Sequence, residues 1–187
     1  MKKQTTLIAA LTTALLLGSI PVSQAADNSF FSFFSLERKK EVKPISDETY
    51  NKECGACHFA YQPGLLPEGS WRKLMDAKAL ADHFGENAEL DDQTRKQILQ
   101  ILVDNSADNS SYKRSKKIMG SLKDGATPLR ITEVPYIKSR HKEIPAELIK
   151  QPKVKSLSQC DKCHMEADKG SFDDDTVVIP EHGNWTW

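Results

Sequence analysis

The feature that most limits what this chain can fold into is a repeated pentapeptide. All four cysteines fall in two copies of it, Cys54-Gly55-Ala56-Cys57-His58 and Cys160-Asp161-Lys162-Cys163-His164. C-x-x-C-H is the attachment sequence for c-type haem. Two thiols three positions apart reach the two vinyl groups of one porphyrin and form a thioether with each. The histidine that follows then lies under the iron and supplies the proximal nitrogen. Four cysteines can also form two disulfides, a redox-active dithiol or a four-thiolate zinc site. None of these requires a histidine directly after both second cysteines. The sequence therefore predicts two covalent haem c groups, anchored by Cys54, Cys57, Cys160 and Cys163, with His58 and His164 as proximal ligands.

The N-terminus agrees with that chemistry, because c-type haem is attached outside the cytoplasm. Lys2 and Lys3 precede an almost continuous apolar run over residues 7–20. Pro21 breaks the run, and Ser23-Gln24-Ala25 places small residues where a signal peptidase reads. This pattern predicts a secretory signal peptide over residues 1–25 and a periplasmic protein. The run is short of the roughly 20 apolar residues a membrane span needs. No cysteine follows it to carry a lipid, and no later stretch is apolar enough to cross a bilayer, so no stable membrane insertion is expected.

Charge narrows the partners. Lys and Arg together number 26, as do Asp and Glu, and a balanced chain lacks the basic footprint of a nucleic-acid-binding protein. Beyond the signal peptide, residues 26–45 read as an arm that carries Phe30-Phe31-Ser32-Phe33-Phe34 and the basic run Arg38-Lys39-Lys40. Such an apolar cluster either packs back on the core or docks a partner. Lys43 extends the basic run, but Glu37 and Glu41 dilute its field.

Helix signals follow. Ser46 is the expected cap of a helix that runs through Tyr50 into the first motif. Residues 59–69 read as a loop, and Ser70 as the cap of a second helix with Trp71, Leu74, Met75, Leu80 and Phe84 along one face. His83 lies at its end, before the stop at Gly85. Asp91 or Asp92 opens a third helix with Ile98, Ile101 and Leu102 buried, and residues 104–111 end it. This order resembles a small class I cytochrome c, in which the sixth ligand comes from the segment just before the last helix. His83 occupies that place, where a methionine is commoner.

Residues 111–135 read as a linker with one short helix around Lys113–Leu122. Residues 136–187 are interrupted by Pro145, Pro152 and Pro180 and are too short for a second class I fold. The expected architecture is mainly α, with a class I cytochrome c-like N-terminal haem domain over 46–110 and a small irregular C-terminal haem domain over 136–187. For the second iron, His141 has a loop of freedom to fold over the haem, and His182 near the C-terminus is its rival. Exchange of ligands between the two haems stays open at this point.

The segment Cys54–Leu90, CGACHFAYQPGLLPEGSWRKLMDAKALADHFGENAEL, resembles the dihaem cytochrome c family abbreviated DHC. The likeness continues through Pro135-Tyr136-Ile137, Arg140–Pro145 and Cys160–His164. It implies two covalent haems with two histidines each, His58 and His83 on one iron and His141 and His164 on the other. It also implies electron transfer in the periplasm between a membrane cytochrome b and a small oxygen-binding monohaem cytochrome c. The Phe-rich arm and the tail with His182, Trp185 and Trp187 are outside the pattern. Two six-coordinate irons leave no position for a substrate, so the expectation is a carrier with no catalytic residues. The rival is a haem enzyme or gas-binding protein of peroxidase type, in which one distal ligand is weak.

Overall fold

The computed structural model describes residues 41–185. The expected signal peptide, the Phe30–Phe34 cluster, the Arg38–Lys40 run and Trp187 lie outside them.

Helix α1 (Glu48–Cys54) delivers the first motif. Its cap is Asp47, not Ser46: the Asp47 carboxylate accepts from the Tyr50 amide at 2.8 Å, and a carboxylate also complements the positive end of the helix. The helix stops at Cys54, before the rest of the motif. A 3₁₀ turn over Pro63–Leu65 follows. The expected second helix is two helices, α2 (Glu68–Leu74) and α3 (Ala77–Ala81). Pro67 occupies the cap position of α2, and Ser70 is buried inside it. Asp76 splits the pair by accepting from the Lys78 amide at 3.0 Å and opening α3. Helix α4 (Asp92–Asp104) is capped by Asp91 and buries Ile98, Leu102 and Val103; Ile101 is only half-buried.

Helix α5 (Lys113–Ser121) lies where the sequence suggests one, but the 111–135 segment also supplies core. Ile118, Ile131 and Val134 join Leu65, Leu66, Ile98 and Leu102 in one cluster, together with Phe172 from the C-terminal part. The approach of α5 is close: the Ser115 hydroxyl donates to the Gly64 carbonyl at 2.8 Å. A Cβ at Gly64 would meet Ser115 Oγ at 2.7 Å and Val42 at 2.8 Å, so only glycine fits there. Val42 itself is fully buried, and its amide donates to the Gly170 carbonyl at 3.0 Å.

The C-terminal part is short elements and turns. Helices α6 (Pro135–His141) and α7 (Ala146–Lys150) precede the second motif. The first three residues of that motif form a 3₁₀ turn over Cys160–Lys162. Strands β1 (Val178–Ile179) and β2 (Gly183–Asn184) pair antiparallel near the end. No helix among the described residues is long and apolar enough to cross a membrane.

Candidate haem-binding sites

The local structure around each motif histidine decides what its ring can bind. His58 Nδ1 lies 2.8 Å from the Phe59 carbonyl, and His141 Nδ1 lies 2.8 Å from the Ile137 carbonyl one turn back on α6. A ring nitrogen that donates to a carbonyl fixes the tautomer and leaves Nε2 with its lone pair free for a metal. The Nδ1 of His164 is buried without a hydrogen-bond partner.

His83 is presented by a tight turn after α3. Its amide donates to the Glu86 carbonyl at 2.7 Å, and the Glu86 amide returns to the His83 carbonyl at 3.3 Å. The two residues between them have positive φ, 58° at Phe84 and 102° at Gly85. Gly85 adopts this region freely, while Phe84 stores strain on the order of 1–3 kcal/mol. The Arg130 guanidinium lies 3.8 Å over the Phe84 ring, a contact that helps hold the turn.

These turns bring the histidines together in two pairs. His58 and His83 have ring centroids 6.4 Å apart at an interplanar angle of 25°; His141 and His164 are 6.1 Å apart at 75°. A metal–imidazole bond is about 2.0 Å and a ring nitrogen lies about 1.1 Å from its centroid, so imidazoles on opposite sides of one metal have centroids about 6.2 Å apart. Both pairs have that spacing. His182 is exposed on the β1–β2 hairpin, with its ring 5.6 Å from that of Trp185. Met75 is buried in the core and Met165 is exposed.

Around the second pair is a cavity of about 340 Å³. Ile137, Leu148, Val154 and Ile179 give it apolar walls, and Cys160, Cys163 and both histidines face it. Arg140 beside His141 pairs with Asp174. The Val178 amide donates to the Cys163 carbonyl at 3.1 Å. These contacts fold the chain after the motif back against it.

Burial favours the neutral form of the titratable groups at these sites. It lowers the pKa of His83, His141 and His164, the last to about 4, with the facing histidine and Arg114 adding to the effect at His164. All three rings are therefore neutral near pH 7, as a metal ligand must be. Burial pushes the Cys54 thiol up to about 11 and Cys160 to about 12. A catalytic dithiol has its thiol pKa lowered instead. The four cysteines are free, and among the described residues no three His, Cys, Asp or Glu side chains converge on a metal site. Free thiols, facing imidazoles and an apolar cavity are the donor set that haem c requires.

Three residues that the sequence did not single out complete the surroundings. Tyr61 lies 4.9 Å from the His58 ring, Phe172 lies 5.3 Å from the His164 ring, and Arg114 lines the cavity. Tyr61 and Arg114 gave no separate signal, one being an aromatic beyond the motif and the other one of many basic residues.

The family model for dihaem cytochrome c (DHC) matches residues 50–172. The chain is 40% identical to a diheme cytochrome c from Rhodobacter sphaeroides, over 70% of this chain and 100% of that one, with a TM-score of 0.62. It is 38% identical to the diheme cytochrome type c sb-DHC from Shewanella baltica OS155, over 74% of this chain and 97% of that one, with a TM-score of 0.60. A search of curated proteins finds no match. With two attachment motifs set beside two facing histidine pairs, the chain belongs to the dihaem cytochrome c family and carries two covalently bound haem c groups.

Proposed function

We propose that this protein is an exported electron carrier in which each haem has two histidine ligands, His58 with His83 and His141 with His164. The observation that carries this reading is the spacing of the two histidine pairs, 6.4 and 6.1 Å between ring centroids. Haem iron would supply a one-electron couple, and with two histidines held to each iron it would do so without binding a substrate. The chain's own residues hold and tune it. The four cysteines fix the porphyrins covalently, and the carbonyls of Phe59 and Ile137 orient His58 and His141. The mostly apolar lining puts the second pair in surroundings of lower polarity than water. Paired histidines give a lower potential than histidine with methionine.

The basic N-region and apolar run over 1–25 support secretion to the periplasm, and the family resemblance supports a membrane cytochrome b and a small oxygen-binding monohaem cytochrome c as partners. Charged rims would steer such transient docking in a salt-dependent way. The test is the visible spectrum of the matured protein reduced with dithionite, with and without carbon monoxide. A low-spin spectrum unchanged by carbon monoxide is expected. A shift in about half the haem would overturn the carrier reading and make the affected site a reaction or gas-binding centre.

A further inference from the structure

Three cations line the cavity around His141 and His164: Lys138, Lys142 and Arg114. The two lysines are exposed, so water screens their charge. Arg114 is only 7% exposed and is the one charged side chain in the buried set among the described residues.

Its anchors reach the segments that carry both ligands. Arg114 Nε donates to Glu41 Oε2 at 3.0 Å, and Nη2 pairs with the same oxygen. Nη2 also donates to the Phe172 carbonyl at 2.7 Å, and Nη1 to the Tyr136 hydroxyl at 3.3 Å. The guanidinium lies 5.7 Å from the Tyr136 ring centroid and 5.9 Å from that of Phe172. Tyr136 is on α6 with His141, and the Phe172 ring lies against His164. The two charges are unequally shielded: the Arg114 side chain is 8% exposed and that of Glu41 is 30%. Water therefore weakens the carboxylate's field more than the guanidinium's, and the cavity sees a net positive charge.

We propose that the Arg114–Glu41 pair sets the reduction potential of the C-terminal haem, with Arg114 raising it and Glu41 opposing. This rests on the reading that His141 and His164 hold that iron. Fe(III) carries one more positive charge than Fe(II). A buried cation therefore favours the state that has gained one electron, and no proton transfer is involved.

The two partners then predict shifts of opposite sign, which a structural role alone does not. In spectroelectrochemical titration of the holoprotein, Arg114→Met is expected to lower the reduced-to-oxidised ratio of the C-terminal haem about tenfold at fixed potential, about 59 mV. Glu41→Gln, which keeps an oxygen to accept from the guanidinium, is expected to raise the same potential. Arg114→Lys should stay closer to the parent than Arg114→Met. The N-terminal haem should move less than the C-terminal one in every case. His141→Met identifies the C-terminal wave, because a thioether ligand raises it. If His141→Met moves neither wave, the ligand reading fails. If it moves one wave, the proposal is overturned by shifts of equal sign in Arg114→Met and Glu41→Gln or by equal shifts of both haems. An unmoved C-terminal wave in Glu41→Gln also overturns it, and this variant decides the matter if Arg114→Met does not fold.

Discussion

Tyr61 spans the two haem motifs: its ring lies 4.9 Å from that of His58, and its hydroxyl donates to the Ser158 carbonyl at 2.7 Å, just before Cys160. A phenylalanine keeps the ring and loses the bond. Tyr61→Phe is expected to cost about 1 kcal/mol, read as a lower urea midpoint, with the low-spin spectrum of both haems intact.

Ile118 is fully buried in the core shared by α5 and the segments around it. Ile118→Ala should lower stability by about 2–5 kcal/mol. A substitution on a solvated linker helix stays within about 0.5 kcal/mol, so a denaturant titration separates the two cases.

The ligand assignment predicts that His83→Ala and His141→Ala each leave one haem high-spin and open to carbon monoxide. His182→Ala should leave both low-spin, since His182 is exposed beside Trp185. A low-spin pair in His141→Ala would transfer the ligand role elsewhere.

Ring orientation predicts two distinct electron paramagnetic resonance signals. With the proposed ligands, imidazoles at 25°, as in His58 and His83, would donate into nearly the same iron orbital, and imidazoles at 75°, as in His141 and His164, into two different ones. The first arrangement splits the iron orbitals more than the second, so the oxidised protein should show one more rhombic and one more axial low-spin signal. A single signal for both haems would contradict the two geometries.

Acid should act through the distal rings and His164. A histidine whose pKa is lower folded than unfolded binds fewer protons in the native state, so its contribution to stability is complete above its ordinary pKa and is lost as pH falls. For His164 that window runs from 6.5 down to about 4; His83 and His141 shift in the same direction. Protonation also competes with iron for the ring nitrogen. Iron on that nitrogen pushes protonation lower still, so the low-spin Soret band should stay constant from pH 8 down through that window and be lost only below it.

The chemistry of the sites was legible in the sequence because it is local. Each attachment motif is five residues long and needs no distant partner to be read. The caps were less legible, because Ser46 and Asp47 are both good caps, and it is Asp47 whose extended backbone and carboxylate bond to the Tyr50 amide fill the position. Ser70 sits inside α2 because Pro67 begins the helix earlier. At Asp76, a side chain that accepts from the Lys78 amide broke one apolar stripe into two helices. The contribution of residues 111–135 to the core was hidden because the stretch is polar: Arg114 is buried by a pairing with Glu41 across 73 positions, and no local pattern carries that information. The facing of His141 and His164 is also long-range, built by the fold-back after the second motif.

Leu65 is almost fully buried in the main core and also lines the cavity around His141 and His164. One side chain near the first motif therefore forms part of the wall of the second site. A chain cut between the two motifs would leave that wall facing water on one fragment and remove it from the other. The second site is therefore not a portable module. It can be inherited only together with the first, and sequence drift at Leu65 is answerable to both.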